Sequence, residues 1–138
     1  MKGVLFLCTG NSCRSQMAEG FARRLAPEGV EVYSAGIEPV GVNPRARIVM
    51  DEVGIDIGEQ RSKDLDAVPL DRIDTLVTLC GDAAERCPTF SGDVERLHWP
   101  LRDPAHAQGQ EAQVLQAFRE VRDGIAARVR SLFPQASL

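Results

Sequence analysis

The chain has 138 residues, which at roughly 150 residues per domain predicts one compact domain spanning 1–138. Hydrophobic residues make up 43% and charged residues 26% of the sequence, so the composition argues against a disordered or low-complexity chain. Sixteen basic residues against twenty acidic ones give a formal net charge of −4. The chain therefore lacks the broad basic field that binding to nucleic acid or to an anionic membrane surface requires.

The longest apolar run, Val4 to Cys8, is far shorter than the ~18 residues of a membrane span or the ~7 to 15 residues of a signal-peptide core. We therefore expect a cytoplasmic protein, in a compartment where thiols stay reduced. The four cysteines are then better interpreted as catalytic or metal-binding residues than as structural disulfides.

Short apolar runs alternate with amphipathic segments along the chain. Runs without polar alternation, such as GVLFLC and TLVTLC, are typical of strands buried on both faces of a parallel sheet. Segments with apolar residues at spacings of three and four are typical of helices that bury one face. The predicted strands are 3–8, 30–35, 75–80 and a weaker one at 94–99, and the predicted helices are 15–25, 43 to about 54 with Asn43 as N-cap and Pro44 as first residue, and 110–132.

This order predicts an α/β fold with a four-stranded parallel sheet flanked by helices on both faces. Ligands of such sheets bind beyond the carboxyl ends of the strands. Cys8 and Cys80 both stand at predicted carboxyl ends. The longest irregular stretch is predicted at 100–109.

The segment between the first strand and the first helix, CTGNSCRS at 8–15, carries the strongest chemical signal. A loop of small residues in which Gly10 can adopt a positive φ can turn its amides toward one point at a helix N-terminus, which creates an anion-binding cradle. Arg14 adds a planar, two-pronged donor suited to a tetrahedral oxyanion. In that positive field a thiolate is favoured over a thiol, so Cys8 is the predicted nucleophile. Ser15 is expected to hydrogen-bond the Cys8 sulfur and to cap the helix. The predicted oxyanion-binding residues are Thr9, Gly10, Asn11, Ser12, Cys13 and Arg14.

A structural zinc site is the alternative interpretation of the cysteines. Cys8 and Cys13 have four residues between them and Cys80 and Cys87 have six, whereas structural zinc pairs usually have about two to four. Only the first pair fits, and a metal there would neutralise the anion cradle. We therefore predict neither a metal nor another cofactor.

Four stretches carry a resemblance to a known family: LCTGNSCRSQMAEG, YSAGIEPVGVNP, TLCGDAAERCP and HWPLRDPA. Together they resemble the thioredoxin-coupled arsenate reductases, which have the low-molecular-weight tyrosine phosphatase fold. The resemblance implies that Cys8 attacks arsenate, that Cys80 attacks the Cys8 sulfur and releases arsenite, and that Cys87 attacks Cys80. It also implies that thioredoxin reduces the resulting Cys80–Cys87 disulfide.

The spacing of the last two cysteines has a physical consequence. Asp82 is a predicted N-cap for a short helical turn that reaches Cys87. A helical separation of seven positions is roughly 10.5 Å, whereas a disulfide needs Cα atoms within ~7 Å. The segment between Cys80 and Cys87 must therefore refold when the disulfide forms.

Asp103 lies in RDPA, where Pro104 stiffens the loop. In the related phosphatases an aspartate of a similar loop is the general acid, which makes Asp103 the predicted acid here. Those phosphatases typically have an aromatic residue after Asp-Pro, and here Ala105 follows, which argues against a phosphotyrosine pocket. Cys13 is expected to be structural.

Two other functions remain open at this point. A phosphatase would use Cys8, Arg14 and Asp103 in the same way, and a non-enzymatic thiol or metal sensor would need no cradle. The resemblance also implies a potassium ion behind the loop in some relatives, near groups like Asn11, Glu19 and Ser34. The hypothesis for this chain is that the Lys63 ammonium takes the place of that ion.

Overall fold

The sheet consists of four parallel strands: β1 (Gly3–Cys8), β2 (Glu31–Gly36), β3 (Thr75–Thr78) and β4 (Glu95–His98). They lie in the order β2-β1-β3-β4. The α-helices of residues 1–80 and 93–134 are α1 (Arg14–Leu25), α2 (Pro44–Glu52) and α3 (Glu111–Leu132). This computed structural model describes residues 1–80 and 93–134. The predicted turn from Asp82 to Cys87 lies outside the described residues. The predicted α/β fold with a four-stranded parallel sheet is confirmed.

The central strand β1 is buried on both faces, as its unbroken apolar sequence predicts. Val4 and Phe6 face a core that α1, α2 and α3 cover. Leu5 and Leu7 face a second core, which the short 3-10 helices Leu65–Ala67 and Leu70–Arg72 cover. Since both faces are covered, the strand needs no polar alternation.

The ends of two elements follow from local chemistry. Asn43 accepts a hydrogen bond from Arg45 N at 2.8 Å and Pro44 is the first residue of α2, so the predicted start is confirmed. Strand β3 ends at Thr78, two residues before the predicted end at Cys80. Leu79 N still donates to Leu7 O at 3.0 Å, so the chain continues alongside β1 and brings Cys80 next to the first residue after β1.

The prediction that 100–109 is the longest irregular stretch is wrong. The segment 53–74 is longer and contains only the two 3-10 helices. It is ordered by pairing with β2, because Gly36 N donates to Lys63 O at 2.8 Å and Gly36 forms an isolated bridge with Asp64. This pairing places Lys63 and its neighbours behind the loop that follows β1.

Candidate active site

The loop at 9–13 joins the carboxyl end of β1 to the start of α1 and is fixed from its outer side. Each of its carbonyls, and that of Cys8, is already occupied by a donor from another part of the fold or from α1. The acceptors and donors are Cys8 O with Ile37 N at 3.2 Å, Thr9 O with Glu38 N at 2.8 Å, Gly10 O with Val40 N at 3.0 Å and Ser62 Oγ at 3.1 Å, Asn11 O with Gln16 Nε2 at 3.1 Å, Ser12 O with Asn43 N at 3.1 Å and Cys13 O with Met17 N at 2.9 Å.

Unlike the carbonyls, the backbone N–H groups of residues 10–14 have no hydrogen-bond partner among the described residues. Buried amides are ordinarily paired, so a run of unpaired amides at a helix N-terminus constitutes an anion site. The amides of 10–14 are therefore available to a ligand, as the predicted cradle requires, while the segment 37–43 hydrogen-bonds to the carbonyls of 8–10 and 12.

The left-handed residue of the loop is Asn11, with φ of 46°, and not Gly10 as predicted. Asn11 tolerates this conformation because its side chain is fully hydrogen-bonded. Its Nδ2 donates to Ser15 Oγ at 2.7 Å and to Ser34 Oγ at 3.0 Å, and its Oδ1 accepts from Gln16 Nε2 at 2.9 Å. At Gly10 a Cβ would lie 3.0 Å from Val40 Cγ2, so the exposed Val40 side chain would have to shift.

Cys8 lies at the base of the loop with 2% of its surface exposed, and its sulfur is 2.8 Å from Ser15 Oγ. Because Ser15 Oγ already accepts a hydrogen bond from Asn11, its own proton is available for the sulfur. The predicted contact between Ser15 and Cys8 is confirmed. The predicted capping role of Ser15 is wrong, because α1 begins at Arg14 and the N-cap is Cys13, which makes no side-chain capping bond.

Arg14 connects the loop to two other predicted parts of the site. Its Nη1 donates to Leu101 O at 2.9 Å and to Leu79 O at 3.4 Å, and its Nη2 lies 3.6 Å from Asp103 Oδ2. The guanidinium thus bridges the anion loop, the residue before Cys80 and the Asp-Pro loop. The carbonyl contacts fix its orientation.

Asp103 is the N-cap of the 3-10 helix Pro104–His106, and its Oδ1 accepts from Ala105 N at 3.0 Å. Its side chain is 27% exposed and faces an open cavity of about 520 Å³. The residues that line this cavity are Cys8, Thr9, Gly10, Ser12, Cys13, Arg14, Glu38, Val40, Asp103, Ala105 and His106. The structure therefore brings the predicted nucleophile, anion loop, arginine and acid to one cavity.

Cys80 is half-buried, and its sulfur lies 3.0 Å from Thr9 Oγ1. Since Thr9 follows Cys8 directly, the second predicted thiol lies beside the first at the end of adjacent strands. Cys87 lies outside the described residues.

Cys13 is buried at the N-terminus of α1, and this burial raises the pKa of its thiol to about 12. Ser12 is its side-chain hydrogen-bond partner, at 3.8 Å. A thiol of this kind remains protonated and unreactive at neutral pH, which agrees with the expected structural role.

Lys63 occupies the position predicted for a cation behind the loop. Its Nζ donates to Arg61 O at 2.9 Å, to Ser34 Oγ at 3.2 Å and to Glu19 Oε1 at 3.5 Å. Glu19 is almost completely buried and also accepts from Ser34 Oγ. The ammonium and the Arg23 guanidinium, whose Nε lies 2.8 Å from Glu19 Oε2, together compensate this buried carboxylate.

Three supporting residues escaped the sequence interpretation. Gln16 donates to Asn11, Ser62 donates to Gly10 O, and Gly36 packs against the loop so closely that a Cβ would lie 2.8 Å from Asn11 N. Gly36 could have been suspected from its position at the end of a predicted strand. The two polar residues carry no pattern that distinguishes them from surface residues.

Within 1–80 and 93–134, no group of three or more His, Cys, Asp or Glu side chains could hold a metal ion. In the same part of the chain, no helix has the length and apolar character needed to span a membrane.

The family model for the low molecular weight phosphotyrosine protein phosphatases matches residues 3–138, and the chain belongs to this family. Its sequence is 52% identical to the arsenate reductase of Bacillus subtilis (strain 168), an alignment that covers 94% of this chain and 93% of the relative.

Two solved structures extend the comparison. An arsenate reductase in the phosphate binding state is similar with a TM-score of 0.83 and 39% identity, over 99% of this chain and all of that one. A thioredoxin-dependent arsenate reductase of Corynebacterium glutamicum is similar with a TM-score of 0.75 and 29% identity, over 97% of this chain and 61% of that one.

Proposed function

We propose that this chain reduces arsenate to arsenite with a relay of three thiols, Cys8, Cys80 and Cys87. The observation that carries the proposal is an anion loop with a thiol on each side: Cys8 lies at the base of the loop, whose amides at 10–14 donate none of the hydrogen bonds of the described residues, and the Cys80 sulfur lies 3.0 Å from Thr9 Oγ1. The similarity to arsenate reductases over nearly the whole chain supports the same conclusion.

In the first step the Cys8 thiolate attacks the arsenic atom of a bound arsenate. The amides of the loop and the Arg14 guanidinium bind the oxyanion, and they stabilise the charge that develops on its oxygens. Ser15 Oγ–H stabilises the thiolate through the 2.8 Å contact. A sulfur–arsenic bond forms, and one oxygen leaves as water after protonation.

Asp103 is the proposed source of that proton. Its carboxyl faces the cavity that contains Cys8, and its Oδ1 is fixed by Ala105 N. A carboxylic acid at this position protonates the leaving oxygen, which is a much better leaving group as water than as hydroxide.

In the second step the Cys80 thiolate attacks the Cys8 sulfur. A Cys8–Cys80 disulfide forms, the sulfur–arsenic bond breaks, and its electron pair remains on arsenic, which leaves as arsenite. Cys87 then attacks the Cys80 sulfur and releases the Cys8 thiolate. The two electrons transferred to arsenic leave the protein as a Cys80–Cys87 disulfide.

Thioredoxin is the proposed reductant of that disulfide. The support is the similarity to the thioredoxin-dependent enzyme of Corynebacterium glutamicum. The test is a coupled assay in which thioredoxin reductase and thioredoxin oxidise NADPH with and without arsenate. Arsenate-dependent, repeated turnover is expected. Failure of arsenate to drive NADPH oxidation would reject this reductant or the reduction itself.

A phosphatase activity is the second candidate, and the family to which the chain belongs favours it. Arsenate and phosphate have the same shape and charge, so the cradle does not discriminate between them. The cavity wall favours arsenate, because the described residues that line it include no Phe, Tyr or Trp side chain on which a phosphotyrosine ring could stack. Hydrolysis of an aryl phosphate is therefore expected to be slow, and fast hydrolysis without arsenate reduction would favour the phosphatase.

A further inference from the structure

The carbonyl of Asn11 is held differently from the other carbonyls of the loop at 9–13. The other four each accept a hydrogen bond from a backbone N–H. Asn11 O accepts instead from a side chain, Gln16 Nε2, at 3.1 Å, and the described residues provide no other donor to it. The orientation of the peptide between Asn11 and Ser12 therefore depends on one side chain.

This orientation decides what the peptide presents to an anion. A trans peptide is planar, so its carbonyl and the N–H of the following residue point in opposite directions. Asn11 is fully buried and does not line the cavity, whereas Ser12 does. While Gln16 draws Asn11 O to the buried side of the loop, the Ser12 N–H is turned to the cavity. A rotated peptide would present the carbonyl oxygen instead, and its partial negative charge would repel an oxyanion.

Gln16 holds Asn11 at two atoms. Its Nε2 lies 3.1 Å from Asn11 O and 2.9 Å from Asn11 Oδ1, so it joins the main chain and the side chain of the same residue. Asn11 has φ of 46°, in the left-handed region that a residue with a side chain rarely adopts. Such a backbone persists where the surrounding structure holds it, and Gln16 supplies part of that support.

The Gln16 side chain is itself fixed. It is fully buried, and its Nε2 also donates to Arg61 O at 3.0 Å. Gln60 Nε2 donates to Gln16 Oε1 at 2.9 Å and to Gln16 O at 3.0 Å. The opposite orientation of the Gln16 amide would place Oε1 against three oxygens. The network therefore permits one orientation, in which the donor faces Asn11.

We propose that Gln16 is a positioning residue that directs the Ser12 amide toward the bound oxyanion, an inference that rests on the proposed function. Gln16 does not line the cavity, so its effect passes through the peptide between Asn11 and Ser12. Its substitution should weaken the binding of tetrahedral oxyanions and leave the order of the thiol steps unchanged.

The test is a titration of the full-length, reduced, ¹⁵N-labelled protein with inorganic phosphate, which has the shape and charge of arsenate. The chemical shifts of the amide protons of 10–14 are measured by NMR. In the wild type, the Ser12 proton is expected to move downfield as it hydrogen-bonds to phosphate. In Gln16→Met this shift should be lost, while that of Arg14 remains, because Met17 N still holds the preceding carbonyl, Cys13 O.

The same substitution should change affinity more than turnover. Loss of one hydrogen bond to a charged ligand is expected to weaken phosphate binding about tenfold. The KM for arsenate should rise by a similar factor with a smaller change in kcat, since the amide binds substrate and transition state alike. Gln116→Met is the matched control, because Gln116 is exposed on α3, and it should change neither value.

Gln60→Met tests the same inference if Gln16→Met does not fold. Gln60 lies half-buried outside the helices, and its substitution keeps the Gln16 side chain while removing the bonds that orient it. Phosphate binding is expected to weaken by about two- to fivefold, with a reduced Ser12 shift. In a Gln16→Met background the Gln60→Met change should have no further effect on phosphate binding, because the two residues act in series.

An undiminished Ser12 shift and an unchanged phosphate affinity in Gln16→Met would overturn the inference. Lower stability to denaturant with unchanged phosphate affinity would show that Gln16 serves folding alone. A wild type in which no amide of 10–14 responds to phosphate would reject the anion site itself. A wild type that binds phosphate through the Ser12 amide and reduces no arsenate would reject the proposed function and leave the positioning role of Gln16 standing.

Discussion

Thr9 Oγ1 and the Cys80 sulfur lie 3.0 Å apart, so the first side chain of the anion loop holds the second thiol of the proposed relay. Thr9 directly follows Cys8, and Leu79 continues the pairing of β3 with β1 through its hydrogen bond to Leu7 O. Cys8 is the last residue of β1, and Cys80 follows the last residue of β3 by two positions. Both cysteines therefore lie at the same edge of the sheet, where the first disulfide exchange of the proposed relay would take place.

This contact predicts the behaviour of Thr9→Val, which keeps the shape of the side chain and removes the hydroxyl. Loss of one hydrogen bond of about 0.5–1.5 kcal/mol is expected to slow formation of the Cys8–Cys80 disulfide by roughly two- to tenfold. The measurement is single-turnover arsenite release. Thr9→Ser is the control, since it retains the hydroxyl and should release arsenite at nearly the wild-type rate. Equal rates for Thr9→Val and the wild type would show that the contact does not position Cys80.

A second prediction concerns Cys13, whose pKa is raised to about 12 by burial. At pH 8 its thiol is therefore protonated, and iodoacetamide should modify Cys8 and leave Cys13 intact in the native protein. Mass spectrometry of the digested protein gives the extent of modification at each cysteine. Rapid alkylation of Cys13 under native conditions would contradict its buried, protonated state.

The same shift has a consequence for stability. Because the folded-state pKa of Cys13 lies above its unfolded value of 9.0, its contribution is fully present below about pH 9 and decreases as the pH rises toward 12. Between these values, unfolding by denaturant should become easier with rising pH, and the effect should be smaller in Cys13→Ala.

A third prediction follows from Lys63, whose ammonium contacts Ser34 and Glu19. Because a tethered cation already compensates the Glu19 carboxylate, replacement of sodium by potassium at constant ionic strength should leave the single-turnover rate unchanged. Lys63→Ala removes that cation and should slow the reaction, because Asn11 loses its support through Ser34. A several-fold activation of the wild type by potassium would contradict this assignment.

The elements that the sequence predicted correctly are determined by residues close together in the sequence. The apolar run 3–8 forms the buried strand β1, and the Asn43–Pro44 pair starts α2, as predicted. The cysteine, the arginine and the small residues at 8–15 likewise predict an anion-binding loop from adjacent positions. The predicted contact of Cys8 with Ser15 is present because the five-residue loop 9–13 and the first two residues of α1 return the chain to the strand end.

The wrong predictions concern interactions between segments distant in sequence. Gly10 was the natural candidate for a positive φ, but Asn11 adopts it because Gln16, Ser34 and Lys63 hydrogen-bond its side chain. The irregular segment 53–74 contains no local pattern that shows its pairing with β2.

The last prediction separates the thiols by the step that each substitution leaves possible. Cys8→Ser should abolish all activity, because a serine hydroxyl is not ionised at neutral pH and cannot take part in disulfide exchange. Cys80→Ser should form the arsenic adduct and release no arsenite. Cys13→Ser is the matched control, because its sulfur has no step in the relay, and it should retain most activity.

Cys87→Ser is the decisive variant. Without a third thiol the Cys8–Cys80 disulfide cannot be transferred, so each protein should release one arsenite and then stop. Peptide mass spectrometry after digestion should identify the Cys8–Cys80 disulfide in the stalled protein, and the coupled assay should show a single burst of product without continued NADPH oxidation. A Cys80–Cys87 disulfide requires Cα atoms within ~7 Å, whereas the helical turn predicted from the sequence would hold them roughly 10.5 Å apart. Oxidation of the wild type should therefore also change its far-ultraviolet circular dichroism. Sustained turnover of Cys87→Ser near the wild-type rate would show that Cys87 is not the final thiol, and the three-cysteine mechanism would then have to be replaced by one in which thioredoxin attacks the Cys8–Cys80 disulfide directly.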